Sequence, residues 1–297
     1  MPELPEVETV RRGLMAVFEG ATLIKAEQNR ADLRFPFPKD FVARLEGHKV
    51  HSLGRRSKYL LADIEADKVL IMHLGMSGSF RIETEQTKKM PGLFAHTRSK
   101  NEKHDHVAFH LAPPNAPNVK VIYNDPRRFG FMTLAKRSTL ETHPLFEKLG
   151  IEPLGNALNG AFLSKRFANK KTPLKAALLD QRIVAGLGNI YVCEALWRSG
   201  LDPRRSANTI SGRSGNGTKA TERLAHDIRA TLHDAIEAGG SSLRDHVRAD
   251  GSLGYFQHTF AAYDREGEPC KRLGCDGTIQ RIVQSNRSTF YCPSCQR

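Results

Sequence analysis

The feature that most constrains this chain lies at its far end, in "PCKRLGCDGTIQRIVQSNRSTFYCPSC". Four of the five cysteines fall there, as Cys270, four residues, Cys275, sixteen residues, Cys292, two residues and Cys295. In a cytosolic chain, two close pairs separated by a hairpin-length insert suit tetrahedral thiolate coordination of Zn²⁺ better than disulfides. Four thiolates leave no open position for water or substrate, so the expected cofactor is one structural Zn²⁺. A segment of about thirty residues builds little core, and the metal supplies the folding energy that burial cannot. The ribbon also displays Lys271, Arg281 and Arg287, which point to a phosphate-bearing partner. Cys193, among apolar residues in "NIYVCEALW", reads as a buried structural cysteine.

The rest of the chain agrees with a polyanionic partner. Its net charge is +13 and its pI about 9.7, a balance that favours nucleic acid through counterion release at phosphates. The first residues are acidic, and no stretch approaches the ~18 uninterrupted apolar residues of a membrane span. The expectation is a cytoplasmic, nucleoid-associated monomer with no membrane partner. At 297 residues the chain has room for two ordinary domains and a small appendage.

Periodicity divides it accordingly. Residues 3 to about 19 predict a helix, because Val7, Val10, Leu14 and Val17 recur at three- and four-residue intervals behind an acidic first turn. From about 20 to 135 the pattern is short β-rich runs, "KYLLADI", "KVLIMHL", "GSFRI", "HVAFHL", "KVIYN" and "FGFMTL", which predict an antiparallel sandwich. Beyond "THPLFEKLGIEPL" the apolar residues take helical spacing. Glycines at "GLGNIY", between two such segments, let backbone approach a ligand, and the following helix N-terminus offers free amides to a phosphate. Residues 84–104 and 203–218 are polar, lack apolar periodicity and read as mobile. The fold class is therefore α+β multidomain: an N-terminal helix with an antiparallel β-sandwich (2–135), a helical domain (136–260) and a C-terminal zinc ribbon (261–297).

The start, "MPELPEVETV", carries a chemical possibility. Removal of Met1 leaves Pro2 with a free α-amine of pKa near 8, so roughly a quarter is neutral at pH 7.5, against ~0.1% of a lysine. Such an amine is nucleophilic without burial. A proline adduct with an aldehyde carbon is a cationic iminium, which acts as an electron sink for elimination at the neighbouring carbon. Glu3 beside it can shuttle protons. Taken alone, the same residues read as a proline-started helix with acids complementing its dipole.

The company this segment keeps decides between the two. "MPELPEVETVRRGL", "RRSKYLL", "HLGMSGSFRI", "KHDHV", "DPRRFG", "GLGNIY" and "RSTFYCPSC", in that order and spanning nearly the whole chain, resemble formamidopyrimidine-DNA glycosylase. The resemblance implies that the "GLGNIY" region belongs to a helix-two-turns-helix motif. It implies that Pro2 attacks the anomeric carbon of a damaged nucleoside and that Glu3 protonates and deprotonates the sugar. Glu6 matches a residue that holds the amino end against the Asn189 turn. Lys58 matches a phosphate-binding lysine assigned as proton donor in β-elimination, and alternation with Tyr59, Leu60 and Leu61 leaves it free to point out of a strand. Arg287 matches the ribbon arginine linked to phosphate binding and δ-elimination; a guanidinium suits the binding role better than the acid role.

Further DNA contacts implied by the match are His73, His104, Arg127, Asn189 and Lys170, the last being one of two adjacent lysines. Met76, Arg127 and Phe129 match a wedge that fills the stack when the target base is extruded; their glycine-flanked turns suit exposed tips. Residues 84–104 and 203–218 look longer than the family's compact versions. Residues 241–260 match the loop that covers the everted base.

The implied partner is double-stranded DNA containing oxidised purines or abasic sites. The implied enzyme is a bifunctional glycosylase and lyase cleaving by β,δ-elimination. A sister family, the endonuclease VIII type, prefers oxidised pyrimidines and usually has glycine and leucine where this chain has Leu4 and Phe129. A catalytically silent zinc-ribbon DNA-binding protein is the reading of a different class, and intact Pro2, Glu3, Lys58 and Arg287 argue against it.

Overall fold

In the computed structural model, which describes residues 2–84, 101–212, 215–241 and 255–297, helix α1 spans Leu4–Phe18. Pro2 does not start it. Glu3 is the N-cap, in a reciprocal capping box with Glu6, and the proline of the first turn is Pro5, where a missing N–H costs nothing. Val7, Val10, Leu14 and Phe18 are fully buried along one face. Glu8 ties the helix to the chain beyond it, pairing with Arg11 at 2.8 Å and Arg55 at 3.2 Å. Burial pushes its carboxyl up, but the two guanidinium groups outweigh that and hold it below the usual carboxylate range.

The chain forms two compact units, residues 1–147 with 238–255, and residues 148–237 with 256–297. In the first, eight strands follow α1: β1 (Thr22–Gln28), β2 (Val50–Arg56), β3 (Tyr59–Ile64), β4 (Lys68–His73), β5 (Ser79–Thr84), β6 (Asp105–Ala112), β7 (Val119–Asn124) and β8 (Phe131–Lys136). They pair as two four-stranded antiparallel sheets, in the orders β1-β6-β7-β5 and β2-β3-β4-β8. One apolar core joins them to α1. Leu23, Phe80, Phe109 and Val121 of the first sheet belong to the same cluster as Leu53, Leu60, Leu70 and Met132 of the second. Strands β1 and β2 are absent from the sequence-based strand runs. Each is an edge strand with only two buried residues, Leu23 and Ala26, or Val50 and Leu53.

The second unit contains α2 (Gly160–Phe167), α3 (Leu174–Leu179), α4 (Asn189–Ser199), α5 (Lys219–Glu237) and a hairpin of β9 (Gln280–Gln284) with β10 (Arg287–Tyr291). Helix α4 is buried almost all round and ends at Gly200 in the left-handed conformation, φ 65°. Its Glu194 carboxylate, 2% exposed, accepts from the amides of Ala261, Ala262 and Tyr263 at 2.7–2.9 Å. Within the segment 203–218, residues 206–210 are not left loose. Ala207 and Ile210 are buried, and backbone bonds join Ala207 to Thr172 and Asn208 to Lys170. Anchoring by two side chains and hydrogen bonds leaves no periodic trace in a sequence. No helix among the described residues is long and apolar enough to cross a membrane.

The four sulfur atoms of Cys270, Cys275, Cys292 and Cys295 lie within 4.8 Å of one another, with Cys270–Cys295 and Cys275–Cys292 both at 3.7 Å. Ligands on a tetrahedron of ~2.3 Å Zn–S bonds are about 3.8 Å apart, so the cluster fits a structural Zn²⁺. Side-chain donors aim at the thiolates from outside the set, Trp197 Nε1 at Cys270 Sγ, 3.3 Å, and Arg272 Nε at Cys295 Sγ, 3.2 Å, and the Arg272 amide adds a bond to Cys270 Sγ at 3.5 Å. The Arg272 guanidinium also stacks on the Trp197 ring at 5.0 Å. Such donors orient the ligands and offset the charge of four thiolates. The surrounding core is only Ala262, Ile279 and Phe290 with partly buried Trp197 and Tyr263. Chelation should therefore release one zinc per chain and unfold the ribbon while α1 and the sheets persist, which zinc colorimetry with hydrogen exchange checks. Uniform protection after complete zinc loss would contradict the metal's structural role.

Candidate functional site

The amino end is held by a carboxylate. Pro2 is buried, as are Glu3 at 4% and Glu6 at 2% exposure. Glu6 Oε2 accepts from the Glu3 amide at 2.8 Å. Its Oε1 accepts from the Ser241 amide at 2.8 Å and the Ser241 hydroxyl at 3.1 Å. Gly240, at φ 81°, packs so close that a Cβ there would lie 3.0 Å from Glu6 Oε1. Hydrogen bonds on both carboxylate oxygens fix the direction of the chain at Pro2, which apolar contacts alone would not.

Lys58 does not lie in a strand. It occupies the two-residue turn between Arg56 and Tyr59 that joins β2 to β3, next to Ser57 at φ 55°, and is 9% exposed. Strand alternation therefore does not set its direction; the turn does. Across the ladder Tyr59 pairs with His73, whose ring stacks on Phe131 at 5.2 Å and 21°. The Gly75 amide donates to His73 Nδ1 at 3.1 Å, which leaves the proton on Nε2. Burial, then the charges of Lys58 and Arg34, push the imidazole down to about 4. His73 is thus a neutral Nε2–H donor at physiological pH, able to hydrogen-bond an anion without adding charge.

The sequence singles out neither Arg34 nor Phe35. The Arg34 amide donates to Gly130 O at 3.1 Å, and the exposed Phe35 ring meets Phe131 edge-on at 5.3 Å. Phe129, 46% exposed, lies under the Arg127 guanidinium at 5.1 Å. Met76 is half-buried rather than an open tip. Its turn is packed against the Phe129–Gly130 backbone through Gly75. His104 ends a short 3-10 turn, Glu102–His104, and its carbonyl accepts from the Asp125 amide at 3.1 Å.

In the second unit Asn189 opens α4 behind Gly188 as N-cap. Its Nδ2 donates to Ser288 O at 3.0 Å, while its Oδ1 is buried without a hydrogen-bond partner among the described residues. The same Ser288 carbonyl accepts from Lys175 Nζ at 2.8 Å. Lys175 is wholly buried and also donates to Thr289 Oγ1 at 2.7 Å. These bonds fix the first residues of β10 just after the exposed Arg287. Lys170 is already paired, at 3.8 Å from Asp180, a carboxylate it shares with Arg182. Most of residues 84–104 and 241–260, including the expected lesion-covering loop, lie outside the described residues.

The half-buried, neutral His73 has a pH signature. Its folded value, about 4, lies below the roughly 6.5 of an unfolded histidine, so the unfolded chain takes up the proton first. The stability of the neutral ring is complete above about pH 6.5 and is lost as pH falls towards 4. Urea melts should show the wild type losing more stability than His73→Gln between pH 7 and pH 5. Parallel losses would contradict a neutral ring.

Comparison with known proteins matches three family models along the chain. They are the formamidopyrimidine-DNA glycosylase N-terminal domain at residues 1–132, the formamidopyrimidine-DNA glycosylase H2TH domain at 149–247, and a zinc finger found in FPG and IleRS at 267–297. Relatives named formamidopyrimidine-DNA glycosylase include one from Chelativorans sp., 64% identical over 297 residues, and one from Brucella abortus, 58% identical over 296; all of each chain is covered. Among solved structures, the MutM (Fpg) protein of Thermus thermophilus is 36% identical with TM-score 0.79, covering 99% of this chain and 98% of that one. The Lactococcus lactis Fpg, in complex with DNA containing an abasic site, is 32% identical with TM-score 0.82 over the full length of both. The amino end held by Glu6, the four-cysteine ribbon and this full-length likeness agree: the chain belongs to the formamidopyrimidine-DNA glycosylase family.

Proposed function

We propose that this DNA glycosylase of base excision repair acts on double-stranded DNA in the cytoplasm, at the nucleoid, and is bifunctional. Oxidised purines, 8-oxoguanine and formamidopyrimidines, are the substrates. With Met1 removed, the Pro2 amine attacks the anomeric carbon. The glycosidic electrons leave with the base, which takes a proton, and the opened sugar remains bound as an iminium. Loss of a proton from the adjacent sugar carbon expels the 3′-phosphate, and a second elimination expels the 5′-phosphate.

Glu3 is the proton shuttle, suited by its place beside the amine. Glu6 is a positioning residue. Lys58 binds phosphate beside the lesion and Arg287 grips phosphate from the ribbon; Lys58 can also donate a proton in β-elimination, whereas a guanidinium scarcely deprotonates. His73 adds a neutral donor to the same anion. His104, Arg127, Lys170 and Asn189 complete the phosphate and base contacts, Lys170 at the cost of its ion pair with Asp180. Met76 and Phe129 fill the vacated stack. The lysyl and arginyl contacts make binding steeply salt-dependent.

The observation that carries this reading is the buried amino end, where Glu6 fixes the Glu3 amide at 2.8 Å. A reactive amine needs such fixing because misplacement by a fraction of an ångström forfeits much of the proximity advantage. Incubating processed protein with a duplex containing 8-oxoguanine opposite cytosine, under borohydride, should trap a covalent adduct whose peptide mass lies on Pro2. A chain with one residue added before Pro2 should bind the duplex and give no adduct. Glu3→Gln should bind equally and excise about 10² to 10⁴-fold more slowly. DNA binding by processed wild type without adduct or cleavage would establish the silent reading, and preference for a thymine glycol duplex would establish the pyrimidine one.

A further inference from the structure

The two turns assigned to the wedge are one mechanical object. The first, residues 74–78, carries Met76 from β4 to β5, and the second, residues 125–130, carries Arg127 and Phe129 from β7 to β8. Strand β4 pairs with β8, ending at His73 opposite Phe131, and β5 pairs with β7, starting at Ser79 opposite Asn124. Both turns therefore cross between the same two sheets, side by side. Their backbones touch: a Cβ on Gly75, at φ 62°, would fall 2.2 Å from Gly130 N and 2.3 Å from Phe129 C. A Cβ on Gly130 would fall 1.8 Å from the Tyr123 hydroxyl.

A buried carboxylate joins them. Asp125 is wholly buried and Tyr123 nearly so. Asp125 Oδ1 accepts from Ser77 Oγ of the Met76 turn at 2.5 Å. Its Oδ2 accepts from the Gly130 amide at 2.9 Å and Tyr123 Oη at 3.2 Å. Ser77 Oγ in turn accepts from the Arg127 amide at 3.1 Å. The hydroxyl of Ser77 thus links the residue after Met76 to the backbone of Arg127, using both its donor and an acceptor position. Apolar packing between two glycine-rich turns would let them slide; a short bond to a buried carboxylate does not.

We infer that Ser77 and Asp125 are positioning residues that lock the two turns into one body, so that Met76, Arg127 and Phe129 enter the duplex at a set relative depth. This rests on the wedge reading given above. Asp125 is buried away from any ligand, and its part is to hold the groups that meet the DNA. Loss of the Ser77 hydroxyl uncouples the turns while leaving Asp125 its other two donors, and it removes no atom of the amine, Glu3, Lys58 or Arg287.

The test is Ser77→Ala in the processed full-length chain, beside Phe129→Ala and Met76→Ala. Stopped-flow fluorescence of 2-aminopurine next to 8-oxoguanine in a duplex reports insertion, and borohydride trapping on a single-stranded abasic oligonucleotide reports the amine chemistry without a stack to open. Ser77→Ala should slow duplex insertion and excision together by about tenfold, the scale of a lost bond to a buried charged group. Its single-strand trapping should stay at the wild-type rate. Asp125→Asn, which keeps one acceptor and can donate to Ser77, should lose less than Asp125→Ala. Duplex insertion unchanged in Ser77→Ala while Phe129→Ala loses it overturns the clamp alone. Equal losses on duplex and single strand overturn it as well, by making the effect a general loss of structure. Unchanged insertion in both Phe129→Ala and Met76→Ala overturns the wedge reading and the clamp with it.

Discussion

The Glu6 carboxylate is the interaction on which the order of the amino end depends. It sits one turn into α1, 2% exposed, and uses its two oxygens on two different stretches of chain, the Glu3 amide and Ser241. A buried carboxylate carries a large desolvation cost, which only well-aimed donors offset. The donors include the Glu3 amide and, more than two hundred residues away in sequence, the amide and hydroxyl of Ser241. The amino terminus of a chain ordinarily frays. This one is buried because the helix behind it is seated by Val7, Val10 and Leu14 and the residue ahead of it is fixed by Glu6. The proposed Pro2 amine would thus be held by ordinary capping chemistry at a helix start.

Much of this is legible in the sequence, and what is not has identifiable causes. Helix α1, the buried strands β3 and β4, and helices α4 and α5 are readable because continuous or periodic burial writes itself into residue order. The cysteine spacing announces the ribbon for the same reason, since a tetrahedron tolerates few spacings. Strands β1 and β2 escape a pattern reading because an edge strand can be held by its neighbour's hydrogen bonds with only two apolar residues inward. The anchoring of residues 206–210 escapes it because it rests on backbone bonds to residues 170 and 172. Lys58 reads as a strand residue because a two-residue turn with Ser57 in the left-handed region has no glycine or asparagine to mark it.

The sequence supplies the candidate groups for DNA contact, and the structure adds those that hold them. Nothing in the order of residues says that Asp125 turns inward, that Arg34 lies near enough to His73 to depress its basicity, or that Arg272 and Trp197 donate to zinc-cluster sulfurs. Such roles depend on contacts between residues tens of positions apart. The Ser77 bond to Asp125 spans 48 residues, and that of Lys175 to Ser288 spans 113. A pattern reader sees a serine in a glycine turn and a lysine in a helix, both ordinary.

These holding groups share one design. Glu6 holds the chain at Pro2, Asp125 holds the turns of Met76 and Phe129, Lys175 and Asn189 hold Ser288 beside Arg287, and Glu194 holds three successive amides leading into the ribbon. In each case a buried or half-buried polar side chain bonds to backbone or a hydroxyl close in sequence to a candidate functional group or to the zinc-binding cysteines. Working groups sit on turns because turns present side chains to a ligand, and turns are where apolar packing is weakest. A buried polar bond costs more to misplace than an apolar contact, since each partner left unsatisfied loses its full solvation. That penalty converts a flexible turn into a fixed one without enlarging the core. A turn that must present a side chain in a set direction gains more from such fixed bonds than from additional apolar burial.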